Sequence, residues 1–179
     1  PTYRIVHLDI NGGEPSASKN YRDVLKNIPP SVTSVRINTN CSIIIPEIEL
    51  LLAKGIQVTV TVSLDGIDAV HDYVRWPIKW DKFYKNLMAY KEMGVQLNTW
   101  TTVSALNIGD FANIQAFVKE NSIDHSYAFL HYPDPINVKY TNTLTEPYKE
   151  LFPSMVAVDR NNQDELDAFV TAQQELRGI

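Results

Sequence analysis

Apolar, β-branched runs recur along the chain at Tyr3–Ile10, Val32–Asn38, Gln57–Leu64, Gln96–Val103 and Asp124–Leu130, and they predict five strands. Between them the apolar positions take helical spacing. Ser18–Asn27 is helix-like, and Glu47–Lys54 has Pro46 ahead of it and Gly55 behind it, the usual start and stop signals. Asp81–Met93 places Phe83, Leu87 and Tyr90 on one face and ends at Gly94. Asp110–Asn121 opens on a good capping residue and carries Phe111, Ile114, Phe117 and Val118 as its stripe. In Gln163–Arg177 the expected inward positions are Leu166, Phe169, Val170 and Leu176. Strand starts fall roughly 25–40 residues apart, which suits helical crossovers and parallel pairing rather than hairpins. A near-continuous apolar run such as Val58–Val62 suits a parallel sheet covered by helices. His131–Pro153, rich in proline and aromatics, breaks the pattern and is expected to cross one end of the fold as a long loop with short helical turns.

Composition narrows the class. A chain of 179 residues fits one domain with a real core, and 44% hydrophobic with 21% charged residues is a globular balance. The net charge of −5, without any basic run, argues against a nucleic-acid surface. No apolar stretch approaches the length of a membrane span, and the first residues show no signal-peptide pattern. The single cysteine, Cys41, excludes a disulfide framework and makes the cytosol the default compartment. The chain lacks an initiator Met, enters a strand-like run almost at once and stops just after a helix-like segment, so a fragment of a longer protein is expected.

The chemistry gathers where the predicted strands end. Those ends read Asn-Gly-Gly-Glu-Pro, Asn-Thr-Asn-Cys-Ser, Ser-Leu-Asp-Gly, Thr-Val-Ser-Ala-Leu-Asn and Leu-His-Tyr-Pro, each polar or glycine-rich, whereas the opposite ends are plainer. In parallel α/β folds ligands bind at the C-terminal strand ends. The first of these turns, Gly12-Gly13-Glu14-Pro15, combines backbone freedom, uncovered main-chain polar groups, a carboxylate and a fixed dihedral. Such a turn can hold the ammonium of a small ligand.

The order of these segments resembles the radical S-adenosylmethionine superfamily. Gly12-Gly13-Glu14-Pro15 is similar to its second-strand GGEP motif, and Ile37-Asn38-Thr39-Asn40 to its third-strand TTN segment. Val62-Ser63-Leu64-Asp65-Gly66, followed by His71-Asp72 and Arg75, resembles the fourth-strand pattern SxDG…HD…R. Trp80-Asp81-Lys82 with Asn86-Leu87 resembles the helix that follows, and Thr101–Asn107 the fifth-strand TVSxxN pattern. The likeness runs from about residue 4 to about residue 132, and the tail Phe169–Gly178 weakly resembles the helix that opens a twitch or SPASM extension.

The resemblance implies an α/β fold: a partial TIM-like (β/α)6 barrel that lacks the first βα unit, with parallel strands and outer helices. It implies residues 1–135 as strands two to six of the barrel, and 136–179 as a loop and helix leading to a truncated extension. Family members bind a [4Fe–4S] cluster through CxxxCxxC on a strand-one loop, chelate S-adenosylmethionine on its open iron, and generate a 5′-deoxyadenosyl radical. One cysteine cannot supply three thiolates. The cluster loop is therefore expected ahead of Pro1 in a parent enzyme, and this fragment is expected to be inactive by itself with neither cofactor bound. By the same resemblance, Gly12, Gly13 and Glu14 receive the ligand ammonium, and Ser63 and Arg75 its carboxylate. Asp65 reaches ligand or substrate, Asn38, Ser104 and Asn107 meet ribose or adenine, and Leu130 lies under the adenine.

Other readings of the same residues stand beside these. Arg75 in a surface ion pair with Asp72 or Asp81, and Asn107 setting up its own loop, are the structural alternatives. His7, His71, His125 and His131 match no metal-ligand spacing, and Trp76, Trp80 and Trp100 read as core or helix-packing residues. Two rivals to the enzyme reading are a cluster-free barrel remnant serving as a binding or interaction module, and an unrelated barrel enzyme using Glu14 and Asp65 as acid and base. The partners expected are S-adenosylmethionine and an unidentified substrate. Tyr3–Ile10, if it forms a bare edge, is expected to pair with another molecule or be masked by a loop.

Overall fold

The computed structural model describes residues 4–141, 148–151 and 163–178. Five strands form one sheet in the order of the sequence, every pair parallel: β1 (His7–Ile10), β2 (Ser34–Thr39), β3 (Gln57–Ser63), β4 (Gln96–Val103) and β5 (Asp124–Phe129). The helix α1 (Lys19–Lys26) follows β1, and α2 (Glu47–Ala53) follows β2. After β3 come α3 (Asp68–Val74) and α4 (Trp80–Glu92), and after β4 comes α5 (Phe111–Glu120). Sequential neighbours joined by helical crossovers are how a barrel winds, so the expected parallel α/β architecture with outer helices is borne out.

The sheet is two-faced, which the apolar-run reading of β3 did not foresee. In Gln57–Ser63 the valines at 58, 60 and 62 are buried, while Gln57, Thr59, Thr61 and Ser63 are not. The register carries this across the sheet: Ile37, Val60 and Leu97 align on one face, Asn38, Thr61 and Asn98 on the other. The apolar face joins Leu25, Ile48, Leu51, Phe83, Leu87 and Ile114 in one core cluster. Each such side chain contributes roughly 1.5–3 kcal/mol on burial. The polar face holds Arg36, Asn38, Thr61, Asn98, Trp100 and Ser126 around a cavity of about 570 Å³.

Several elements begin where polar side chains reach across from elsewhere. Helix α4 starts at Trp80 because the Asp72 carboxylate accepts from the Trp80 N–H (2.6 Å) and binds Lys79 Nζ (2.9 Å). Asp110, expected to cap α5, instead accepts from the Ile67 N–H (2.6 Å) and the Asn113 amide (2.6 Å), and a short 3-10 turn, Ile108–Asp110, leads into the helix. Between α1 and α2, buried Glu47 takes Arg22 Nε on both oxygens (3.0 and 3.1 Å). Helix α3 was not anticipated, and among its residues only His71 is fully buried, which leaves no stripe to read.

Strand β1 starts at His7, and Arg4–Val6 of the expected strand are not part of it, Ile5 and Val6 being about half-exposed and outside the core; Tyr3 lies outside the described residues. It is an edge of the sheet, hydrogen-bonded to β2. His7 donates or accepts at Ser34 Oγ (2.7 Å) and meets Asp9 (3.1 Å), and Arg36 faces Asp9 at 3.8 Å, so polar pairs pin the edge in register. Of the three tryptophans only Trp80 packs as expected, against His71, Phe83 and Phe117. Trp76 and Trp100 are 49% and 40% exposed. Beyond β5, 3-10 turns at Asp134–Ile136 and Val138–Tyr140 are the expected short turns, whereas 142–147 and 152–153 of that loop lie outside the described residues. A one-turn helix, α6 (Tyr148–Leu151), precedes α7 (Gln163–Arg177), which buries Leu166 but turns Leu176 outward, 79% exposed. No helix among the described residues is long and apolar enough to cross a membrane.

Candidate functional site

Parallel strands put their C-terminal ends on one side, so nine of the ten residues singled out from the sequence lie on loops or strand tips at that side, and Arg75 follows the end of α3. They assemble into local groups. The first is the turn after β1. Gly12 and Gly13 have φ of 86° and 59°, consecutive left-handed conformations that an L side chain adopts at a cost. No atom lies within 4 Å of where a Cβ would sit on either, so the requirement is the backbone and not space.

Glu14 is fully engaged. One oxygen accepts from the Ser16 N–H (3.0 Å), Ser16 Oγ (2.6 Å) and Thr39 Oγ1 (2.7 Å), and the other from the Asn40 N–H (2.6 Å). The carboxylate joins the β1 turn to the tip of β2. Next to it, the Asn38 amide donates to Asn11 Oδ1 (2.5 Å) while Asn38 lines the polar-face cavity. Cys41, at φ 62°, is buried with Sγ 3.8 Å from the Phe83 carbonyl, and burial with the nearby Glu14 charge pushes its thiol far up. It is no thiolate ligand.

The second group fuses the tips of β3 and β4. Asp65 is 5% exposed and accepts from the Thr102 N–H (2.8 Å) on one oxygen, while the other takes Arg75 Nη2 at 2.6 Å. The partner of Arg75 is thus neither Asp72 nor Asp81. Burial pushes the Asp65 carboxyl up, against the pull of the Arg75 guanidinium and the Thr102 N–H. Asn107 closes the network: its amide donates to the Asp65 and Thr102 carbonyls (3.0 Å each), and its Oδ1 accepts from the Ser104 N–H (2.7 Å). Ser104 Oγ then accepts from the Leu106 N–H (3.3 Å). Thr101 Oγ1 donates to the Leu64 carbonyl beneath. Asn107 therefore builds its loop, and Ser104 with it.

Arg75 keeps donors in hand. Its Nε is buried without a hydrogen-bond partner, and the side chain is 26% exposed. A buried guanidinium N–H left unpaired is costly, and an incoming carboxylate or phosphate would relieve it. Ser63, half-buried at the tip of β3, has no side-chain hydrogen bond among the described residues. Leu130, half-buried, hydrogen-bonds through its N–H to the Val103 carbonyl (2.8 Å) and prolongs the β4–β5 pairing.

Of the histidines, His71 is a packing residue. His71 is fully buried against Trp80 and Phe83 (ring centroids 5.4 and 4.2 Å), and burial, with Arg75 adding to it, pulls its pKa down to about 4. Among the described residues no three His, Cys, Asp or Glu side chains gather as a metal site, and the residues present do not fit a [4Fe–4S] cluster. Glu14 and Asp65 are spent on separate networks, which removes them as an acid–base pair. Thr39, Asn40 and Thr102, which hold the two carboxylates, were not singled out as partners. Gly66 is required for steric reasons: a Cβ there would meet Val70 Cγ1 at 2.7 Å and the His71 nitrogen at 2.8 Å.

No protein-family profile matches the chain, and no curated protein sequence matches it. Solved structures do. The crystal structure of Streptococcus suis SuiB aligns with TM-score 0.58 at 19% identity over 96% of this chain. SuiB bound to S-adenosylmethionine aligns with TM-score 0.57 at 19% identity, and SuiB bound to the precursor peptide SuiA with TM-score 0.52 at 20%. At this identity the likeness is one of fold. The chain spans 36–37% of the length of those structures.

Proposed function

We propose that this chain forms the S-adenosylmethionine-binding wall of a radical S-adenosylmethionine enzyme. The observation that carries the reading is the buried Asp65–Arg75 pair at the β3–β4 tips, with Arg75 Nε unpaired. Arg75 binds the ligand carboxylate through its remaining donors, with Ser63 beside it, and Asp65 holds the guanidinium in place. The carbonyls of Gly12 and Gly13 take the ammonium, and Glu14, spent on Ser16, Thr39 and Asn40, shapes that turn instead of binding the charge itself. Asn38 meets the nucleoside from the cavity wall, Asn107 and Ser104 hold the loop, and Leu130 supplies the apolar contact to the base. That a protein of similar fold has been solved with S-adenosylmethionine bound favours this ligand class. The chemistry the bound ligand supplies in that superfamily is the 5′-deoxyadenosyl radical. The cluster that releases it would be held by another part of the parent enzyme, because the residues here do not fit one. Residues 1–135 would form the binding unit and 136–179 a C-terminal segment, with a substrate over the polar sheet face.

Isothermal titration with S-adenosylmethionine tests the reading. From the sequence neither cofactor is expected on the chain alone, but the Arg75 donors and the β1 turn are in place without a cluster. The chain should therefore bind by itself, and Arg75→Ala should weaken binding roughly 10- to 100-fold, the worth of a charge-assisted contact. No binding at millimolar ligand, or an unchanged affinity in Arg75→Ala, refutes it.

A further inference from the structure

Arg177, on the last turn of α7, reaches 104 positions back along the chain to the residues flanking Arg75. Its Nη1 donates to the Tyr73 carbonyl at 2.5 Å, and its guanidinium carbon lies 5.1 Å from the Tyr73 ring centre and 5.7 Å from that of Trp76. Nη2 meets Gln173 Oε1 at 3.3 Å, which braces the guanidinium from its own helix. The cation thus grips both neighbours of the Arg75 segment, while the Arg75 N–H is held at the α3 end by the His71 carbonyl (2.8 Å) and its carbonyl by the Ile78 N–H (3.0 Å). On the far side Asp65 fixes the guanidinium of Arg75 (2.6 Å). Arg75 is the C-cap of α3, at the start of the five-residue link to α4, and Arg177 is the contact that ties this link to α7.

We propose that Arg177 is a positioning residue for the carboxylate site: docking of α7 through Arg177 onto Tyr73 and Trp76 sets the backbone that aims Arg75 at the ligand. The inference rests on the reading that Arg75 takes the carboxylate of S-adenosylmethionine. A loosely held arginine loses affinity for that group alone, because ordering it is then charged against binding.

The test is titration of the full chain with S-adenosylmethionine and with decarboxylated S-adenosylmethionine, for the unmodified chain, Arg177→Ala and Arg177→Lys. The unmodified chain should prefer the carboxylated ligand. Arg177→Ala should lower that preference roughly fivefold or more while leaving the decarboxylated ligand within about twofold. Arg177→Lys keeps a cation over the rings and a donor for the Tyr73 carbonyl, so it should restore most of the preference. It also serves as the readout should Arg177→Ala fold poorly. An equal loss for both ligands, or a preference unchanged in Arg177→Ala, overturns the inference. If the unmodified chain binds neither ligand, the S-adenosylmethionine reading itself fails and takes this inference with it. A chain that prefers the carboxylated ligand regardless of residue 177 leaves that reading standing and overturns this one.

Discussion

His71 gives this domain a pH-dependent stability whose size follows from its surroundings. The ring is fully buried, neither nitrogen makes a hydrogen bond of normal geometry, the Gly66 backbone offsets the burial only in part, and its pKa falls from 6.5 to about 4. A histidine with a depressed folded-state pKa stabilises the fold above its unfolded value and loses that contribution as pH falls from 6.5 towards 4. Between about pH 8 and pH 5 the unfolded ring takes up a proton that the folded one refuses, which removes about 2 kcal/mol; the full shift corresponds to about 3 kcal/mol. For a chain of this size that lowers the melting temperature by roughly 4–8 °C. Other groups titrate in the same window, among them His125, also held down by burial, so the difference against His71→Leu isolates this ring. The substitution gives up only the ring's weak polar contact with the Gly66 backbone and keeps an apolar side chain among Trp80 and Phe83. Urea unfolding at both pH values should show a loss of about 2 kcal/mol more in the unmodified chain than in His71→Leu. Parallel pH curves for the two proteins would refute the burial argument.

Two further outcomes follow from the strand-tip loops. Glu14→Ala leaves the Ser16 and Asn40 N–H groups and the Thr39 hydroxyl without their acceptor, and should cost about 2–4 kcal/mol in urea unfolding, while Glu14→Gln recovers part of it. Gly66→Ala drives a Cβ into Val70 and the His71 backbone and should cost about 1–3 kcal/mol, whereas Gly13→Ala, strained only in φ, should cost about 1–2 kcal/mol and leave the core untouched. A Gly66→Ala protein as stable as the unmodified chain would show that α3 can shift away from the loop.

Much of the fold was legible because its period is carried by side chains that must be buried. The bounds of β4 and α7 match the spacing of their apolar residues to the residue, and parallel pairing follows from the strand spacing and the apolar strand runs. What escaped is what single residues do at a distance. The run Val58–Val62 reads as apolar until the threonines at 59 and 61 are seen to share a face with Asn38 and Asn98. Asp110 has the chemistry of a helix cap, yet its carboxylate is taken by the Ile67 N–H, 43 residues away. The segments of the candidate site were visible in order, but the pairing of Arg75 was not. Asp72 is three residues from Arg75 in sequence, whereas Asp65 reaches it only because α3 folds back over the β3 tip.

The two carboxylates of the site divide the labour. Glu14 accepts four donors from Ser16, Thr39 and Asn40, so both of its oxygens serve the joint between β1 and β2. Asp65 accepts Thr102 and Arg75, so it serves the joint between β3 and β4. Under the proposed reading, an ammonium at the β1 turn would meet main-chain carbonyls, which carry only partial charge, whereas a carboxylate at Arg75 would meet a guanidinium that is paired with Asp65 on one side and keeps an unpaired N–H. On that reading the stronger anchor would be on the β3–α3 side. Binding should consequently depend more steeply on the carboxylate of an amino-acid ligand than on its ammonium, and removing the former should cost more affinity than removing the latter.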